Sequence, residues 1–556
     1  MDQGTGGRNG RVTTEGPMLD ENRDEIAEAA AAAAGVEVLR PGQREAVESA
    51  LARDTVAVLA SGTGKTAVYE TVARLLGGPA IVVSPTIALQ RDQVQILRAH
   101  GHRATAVNSA RGERSRRQAL ADFAGGRLDM LLLAPEQLGS PDVLDALEQG
   151  HPTLLVVDEA HTVSEWGSNF RPDYLLIGTA VQRLHVPRVL ALTATAAPRV
   201  RRDIAEGLGM RDPAVVVGNA DRPEIWLGAR LFAGSRERDD ALVAAALGVD
   251  GAVIVYAPTH RRCSELADAL TQAGRAAAIY HAGLPAGQRR QTADDFLCAR
   301  ADTIVATSAF GMGIDRRDVR AVLHAGPPTS VDEYFQEAGR AGRDGERARG
   351  LLLYRLEDFA LGRYLESGGG VHEDDLRCAV GVLRDADAPL SRAELAQRAG
   401  LSRRSVALVV GVLVGGNALQ QRRGGLELRA AADRHPAGVV DDAMAERERR
   451  REFDRTRVDM IRAYAETTDC RRRVILELLG EDYPQRCLNC DNCDAGTSEE
   501  AADRPFRIGS AVVHPEWGQG TVSHYEGDRV VVLFTDGGYR TLALPLVRKK
   551  GLLRAA

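Results

Sequence analysis

The sequence predicts an α/β protein: two lobes built on parallel β-sheets, then a winged helix-turn-helix, a helical four-cysteine module and a small C-terminal β-barrel. Three observations carry this reading. Short apolar strands alternate with helical patterns through two stretches of similar size, about 25–225 and 226–366, with GAVIVYA (251–257) opening a fresh strand pattern in the second. Alternation of that kind gives parallel sheets with helices on both faces. A strand, a glycine loop and a helix follow one another without interruption at 54–76 (DTVAVLA, SGTGKT, AVYETVARLL). Near the C-terminus four cysteines fall close together, in a chain with seven overall.

The bulk properties narrow the field. A length of 556 residues allows three to five domains at roughly 100–200 residues each. The first 24 residues are polar and Gly-rich and read as a flexible tail, not a secretory signal. No apolar run is long enough to span a bilayer, so no membrane partner is expected and the cytoplasm is the expected setting. Seven cysteines in such a length do not make a disulfide scaffold. With a net charge of −6, contact with nucleic acid has to come from local patches. Of 71 basic residues only three are lysines, and Lys65 is the sole one before Lys549. A compact ammonium enters a narrow phosphate cradle in a way that a planar guanidinium does not.

Lys65 lies in LASGTGKTAVYE (59–70), which ends like a phosphate-binding loop but has Leu59 where the G-x-x-x-x-G-K-[ST] pattern begins with glycine. Its strand–loop–helix context is the one that motif requires. Gly62 and Gly64 let backbone N–H groups approach phosphate oxygens at the positive end of the following helix. Leu59 is expected at the end of the strand, its side chain in the core. Some ninety residues on, LLVVDEAH (154–161) is a buried strand delivering Asp158 and Glu159 to its C-terminal edge. There Asp158 suits Mg²⁺ and Glu159 suits the attacking water of a phosphoryl transfer. In QEAGRAGRDG (336–345), Arg340 and Arg343 lie three apart and would share a face if the segment is helical. Arginines reaching a γ-phosphate across a cleft contribute roughly 10³–10⁵ in rate in related reactions; a solvated basic turn is the bland alternative.

Two further segments carry chemistry. TVSEWGSNFRPDY (162–174) gathers Trp166, Phe170 and Tyr174 in a chain only 4% aromatic. They form either a satellite core or a platform on which bases stack, worth about 1–3 kcal/mol each, with Arg171 as cationic partner. Cys470, Cys487, Cys490 and Cys493 form C-x16-C-x2-C-x2-C. Four thiolates suit tetrahedral zinc in a closed, structural site; an iron–sulfur cluster is the minor alternative.

Taken together, these blocks resemble the RecQ family of superfamily 2 DNA helicases, in family order from about residue 36 to 493. The resemblance implies two RecA-like lobes, ATP with Mg²⁺ between them, structural zinc, and ATP-driven unwinding of duplex DNA by translocation on a single strand, 3′ to 5′, in repair, recombination or replication. LRPGQREAV (39–47) resembles the adenine-reading motif, implying Gln43 on the base edge and Arg40 nearby. SPTIALQRDQV (84–94) resembles the segment that tracks DNA phosphates, and LALTATA (190–196) the segment that couples hydrolysis to the strand. IVATSAFGMGIDRRDV (304–319) resembles the second-lobe motif, with Asp315 near the ribose. By the same resemblance the loop residues Ala60, Ser61, Gly62, Thr63, Gly64, Lys65 and Thr66 hold the nucleotide and Thr66 joins Asp158 on Mg²⁺. Lys65, Asp158, Glu159, Gln336, Arg340 and Arg343 serve catalysis, while Trp166, Phe170 and Arg171 sense DNA. The family tolerates a non-glycine at the position of Leu59.

The chain departs from the family between lobe 2 and the cysteines. There 370–432 reads as a winged helix-turn-helix, with Ser402 capping its second helix, two short strands around Gly424–Gly425, and Arg403 and Arg404 set for phosphates. A protein-binding winged helix is the alternative. The zinc module is expected over 440–496, a linker over 497–505, and an all-β unit over 506–554 that resembles the Tudor-like tail of UvrD/PcrA-type helicases. That likeness implies docking to RNA polymerase, another protein or nucleic acid. Two other functions fit the same motifs: an RNA helicase, since DEAH occurs there too, and an ATP-switched DNA clamp or annealing factor that does not unwind.

Overall fold

The computed structural model describes residues 38–360, 372–498 and 504–555, plus residues 28, 31, 32, 34 and 35. Outside the description lie short internal stretches, among them 61, 109–110, 165–173, 312–313, 315, 416–417, 423–424, 430–435, 482, 507–509 and 535–537.

Lobe 1 is a seven-stranded sheet of β1 (Thr55–Val58), β2 (Ala80–Val83), β3 (Ala104–Val107), β4 (Met130–Leu133), β5 (Leu154–Val157), β6 (Arg188–Thr193) and β7 (Ala214–Val217). The order is β3-β4-β2-β5-β6-β1-β7 and every pairing is parallel. Most of these strands are apolar throughout because helices cover both faces of a parallel sheet. The period-two alternation of side chains then feeds two separate cores. Ile81, Val83, Leu131 and Leu133 face one; Ala80, Val82, Met130 and Leu132 face the other.

Lobe 2 repeats the scheme with β8 (Ile225–Leu231), β9 (Ala252–Tyr256), β10 (Ala278–Tyr280), β11 (Thr303–Ala306), β12 (Val319–His324) and β13 (Ala348–Tyr354). These form a parallel sheet in the order β10-β11-β9-β12-β13-β8.

Beyond lobe 2, helices Glu373–Arg384, Arg392–Ala399 and Arg403–Gly415 pack with an antiparallel hairpin of β14 (Leu419–Arg422) and β15 (Gly425–Leu428) around their own apolar core. Ser402 Oγ accepts the Ser405 N–H at 3.0 Å, closing the start of the third helix. Gly425 is required: a Cβ there would sit 2.4 Å from the Leu390 backbone, with which Leu426 bridges. The 31-residue helix Pro436–Glu466 joins this unit to the rest. Its Val439, Val440 and Ala443 enter the three-helix core, while Val458, Ile461 and Tyr464 pack on Val331, Tyr334 and Phe335 of lobe 2.

The C-terminal unit is a five-stranded antiparallel sheet of β16 (Ala511–His514), β17 (Gly518–Glu526), β18 (Arg529–Phe534), β19 (Gly538–Ala543) and β20 (Arg554–Ala555). Val512, Val522, Val530, Val532 and Phe534 form its core with Leu544 and Val547 of a short helix. Among the described residues no helix is long and apolar enough to cross a membrane.

Candidate functional site

In lobe 1, β5 and β1 flank β6, so their C-terminal ends open side by side. Leu59 continues β1: its N–H donates to Thr193 O at 2.8 Å, and its side chain is buried. Room for it comes from Gly218, where a Cβ would stand 2.8 Å from Leu59 Cδ2. The loop therefore starts its turn after Leu59, which is why a glycine is not needed there. Buried Ala60 accepts the Thr63 hydroxyl at 2.7 Å. Gly62 and Gly64 adopt left-handed φ of 77° and 82°. Gly64 caps the helix Lys65–Leu76 without a side-chain donor or acceptor; the Ala67 N–H turns back to Gly64 O at 3.1 Å, and the Lys65 and Thr66 N–H groups ahead of it suit an anion. Thr66 lies half-buried on that turn.

Gln43 Nε2 donates to Thr63 O at 2.5 Å and to Gly64 O at 3.3 Å, while its Oε1 accepts the Arg40 N–H at 2.8 Å. The Gln43 amide thus braces the back of the loop from the helix Pro41–Ala52, and Arg40 stands exposed at that helix's start.

Lys65 Nζ lies 3.8 Å from Glu159 Oε1, and both side chains are largely buried. Asp158 Oδ2 accepts from Gln93 Nε2 at 2.9 Å. Burial, then the neighbouring Glu159 charge, pushes the Asp158 carboxyl up to about 6. Burial also opposes ionisation of Glu159, but Lys65, His161 and Arg340 outweigh it and hold its pKa below the ordinary value. Adjacent carboxylates are thereby split into two characters. Burial lowers the His161 pKa, and His161 Nδ1 sits 3.0 Å from Thr193 Oγ1 and 3.4 Å from Glu159 Oε2. Glu159 Oε2 itself is buried and accepts no hydrogen bond from the described residues, with His161 Nδ1 its near neighbour.

Lobe 2 closes the cleft. Gln336 is half-buried on the helix Val331–Ala338, which Ser330 caps at its start. Arg340 and Arg343 do not share a helical face as the spacing suggested. The helix stops at Gly339 and both arginines stand on the turn beyond it, where Gly342 (φ 62°) bends the chain. The turn still aims them together. Arg340 is buried, and its charge acts on Glu159. The Arg343 side chain lies 3.3 Å from the place a Gly62 Cβ would occupy, and its Nη1 donates to Ile314 O at 3.0 Å.

Ser61, Trp166, Phe170, Arg171 and Asp315 lie outside the described residues. Tyr174 is fully buried in the lobe 1 core. Arg403 is exposed at the start of its helix in the three-helix unit, with Arg404 next along the same helix.

The four cysteines converge. Their sulfurs all lie within 4.8 Å of one another, and Cys487 Sγ and Cys493 Sγ are 3.9 Å apart. Tetrahedral zinc with bonds of about 2.3 Å needs sulfurs about 3.8 Å apart. Backbone N–H groups of Cys487, Asn489 and Cys493 point at Cys470, Cys487 and Cys490 sulfurs at 3.3–3.4 Å, and the Ser498 hydroxyl at Cys493. Such donors favour thiolates and orient them. Among the sulfurs themselves, donation from Cys487 and Cys490 lowers the Cys470 pKa and raises theirs, as in a set that shares its protons. The set fits zinc.

Comparison with known proteins agrees with this geometry. The DEAD/DEAH box helicase family matches residues 40–204, the helicase conserved C-terminal domain 239–345, and the RecQ zinc-binding family 433–494. The chain is 36% identical to the probable ATP-dependent DNA helicase RecS of Bacillus subtilis over 64% of its own length and 71% of the relative's. It is 30% identical to the ATP-dependent DNA helicase RecQ of Synechocystis over 85% and 99%. The chain belongs to the RecQ family of ATP-dependent DNA helicases. Against the RecQ of Haemophilus influenzae the match is 34% identical and spans 52% of that protein. The helicase MrfA bound to DNA shares the fold at a TM-score of 0.50 and 17% identity, covering 73% of this chain and 59% of that one. As a RecQ protein the chain is an ATP-hydrolysing DNA helicase that uses ATP with Mg²⁺ and holds structural zinc.

Three partners of this site escaped the sequence reading. Gln93, which holds Asp158, lies within segment 84–94 but carries no signal that sets it apart from its neighbours there. Asp332 and Arg457, whose charges act on one another and on His161, carry no local signal. They belong to lobe 2 and to the long helix, and only folding brings them beside the DEAH strand.

Proposed function

We propose that the cleft between the lobes hydrolyses ATP with the following division of labour. Lys65 and the N–H groups around Gly62 and Gly64 hold the β- and γ-phosphates. Thr66 and Asp158 hold Mg²⁺, which when bound supplies Lewis-acid polarisation of the phosphates. Glu159 orients the attacking water and takes its proton. Arg340 and Arg343, with Gln336 one turn earlier, neutralise charge from lobe 2. Arg40 and Gln43 read the base, the Gln43 amide exchanging its bonds to the Thr63 and Gly64 carbonyls for the base edge; the remaining loop residues Ala60, Ser61 and Thr63 shape the cradle, and Asp315 meets the ribose. What carries the reading is the approach of Lys65 to Glu159 within lobe 1 while Arg343 of lobe 2 lies over Gly62. Catalytic groups from both lobes then make hydrolysis inseparable from rigid-body motion of the cleft.

That motion drives translocation on single-stranded DNA, 3′ to 5′, and separates duplex DNA ahead of it. Trp166, Phe170 and Arg171 sense the strand, and the 370–432 unit acts as a winged helix with Arg403 and Arg404 on phosphates. The exposed Arg403 and the Ser402 cap support the latter. The C-terminal sheet docks to RNA polymerase or another protein, a reading supported by its separate core. The enzyme works in the cytoplasm, where DNA and ATP meet. Tailed duplexes with 3′ or 5′ overhangs, in DNA and RNA, test this directly. ATP-dependent separation limited to 3′-tailed DNA is the expected result; separation only from 5′ tails or only of RNA overturns it.

A further inference from the structure

Lobe 1 carries a basic groove that the ATP cleft does not use. It runs along the edge strand β3, between the helices Ile87–Ala99 and Glu113–Ala124, with a volume of about 810 Å³. Arg98, Thr105, Arg111, Arg114, Gln118 and Asp122 line it. Arg98 is anchored through Nε to Ala104 O at 2.8 Å and Arg111 through Nη1 to Thr105 Oγ1 at 2.9 Å, so each guanidinium is held in place with other donors left over. Arg114 is exposed. The groove's acids are already engaged by arginines that do not line it: Glu113 by Arg117, and Asp122 by Arg127 at 2.7 Å. Three arginines thus face the groove against two neutralised carboxylates, in a chain whose net charge is negative.

The groove also connects to the strand-tracking segment. Beyond the end of β3, Asn108 Nδ2 donates to Gln90 Oε1 at 2.8 Å, and Gln90 Nε2 donates to Ser84 O at 2.8 Å. Arg111 follows Asn108 by three residues. These buried contacts tie the segment 84–94 to the end of β3 and so set that segment beside the Arg111 end of the groove. We propose that this groove is an additional DNA-backbone site, in which Arg98, Arg111 and Arg114 bind the phosphates of a single strand leaving the lobe 1 edge. The inference rests on the DNA-translocating reading above.

The test uses the full-length protein, oligo(dT) of 10 and 25 nucleotides, and salt titrations of binding. For R111Q/R114Q the affinity for the 25-mer falls about 5–10-fold and the salt slope drops by about 1.4, near 0.7 for each lost phosphate contact. The 10-mer, which the central site alone accommodates, is bound within twofold of wild type, and the saturated DNA-stimulated ATPase rate is unchanged. R114E, confined to an exposed position and matching the double variant in charge change, lowers 25-mer affinity to a similar extent and guards against a folding defect in the double variant. Unchanged affinity and slope on both lengths, or equal losses on both, overturn the proposal. Failure of the wild type to bind either oligonucleotide sinks the underlying reading instead.

Discussion

Lys65 and Glu159 face each other because a glycine-built turn and a left-handed backbone at Glu159 (φ 51°) end two strands on either side of β6. Both residues were legible in the sequence, since each sits at a strand end within a short, distinctive motif. Their supporting contacts were less so. The Gln43 brace on the loop and the Gln93 bond to Asp158 depend on helices 20 and 65 residues away. If Glu159 takes the proton of the attacking water, Glu159→Gln lowers the ATPase kcat by about 10²–10⁴, while nucleotide affinity, measured by equilibrium binding, stays within a few-fold. A variant with near wild-type turnover contradicts that role. Gly64→Ala places a Cβ 2.9 Å from Gln43 Nε2 in a left-handed conformation. It is expected to cost about 1–2 kcal/mol in denaturant unfolding and to weaken nucleotide binding together with it.

At the scale of elements, the strands were read correctly as apolar runs because a parallel sheet buries both faces. The turn bearing Arg340 and Arg343 was not. A three-residue spacing is helical or not according to what ends the helix, and here Gly339 and Gly342 end it. The zinc module was legible as a spacing, yet its packing was invisible. The helix Arg471–Leu478 buries Arg471, Arg472 and Arg473 in spite of their charge. Arg471 Nε meets Asp491 Oδ1 at 2.5 Å and Arg472 Nη1 meets Asp221 Oδ1 at 2.5 Å, so each guanidinium is paired where it is buried. Zinc in finger peptides contributes about 10–16 kcal/mol of folding free energy. Stripping the metal with a strong chelator, or Cys490→Ser, is accordingly expected to melt this module first. Circular dichroism would show lost helix and calorimetry a separate low-temperature transition. Retention of the full native signal without bound metal would show that the thiols fold unaided.

Across the whole molecule the zinc module grips the connection between the lobes. Arg472 Nη2 donates to Ile225 O at 2.5 Å, Asn489 Nδ2 to Pro223 O at 2.8 Å, and the Ala220 N–H to Glu481 Oε1 at 3.1 Å. Past the connection, Arg201 Nη2 of lobe 1 reaches Leu479 O at 3.1 Å, and Gly480 packs on Pro198. Contacts spanning more than 240 residues leave no trace in local sequence, which is why this brace was unreadable. Burial pushes the Glu481 carboxyl up to about 7 against the Ala220 N–H and Arg201, which lower it. A carboxyl raised in the folded state holds its proton longer there than in the unfolded chain. Stability therefore falls as pH rises from the unfolded value toward 7 and levels off above it. Glu481→Gln is expected to match wild type near pH 4.5 and to exceed it by about 1–3 kcal/mol at pH 8; a difference independent of pH contradicts this.

Hydrolysis in the cleft is proposed as the motor for strand separation. The decisive measurement is unwinding of a 3′-tailed duplex by the Lys65→Ala variant, alongside its zinc content and DNA affinity. Zinc and DNA binding near wild-type levels with no ATP-dependent strand separation is the predicted outcome. Undiminished ATP-dependent separation by that variant would contradict it.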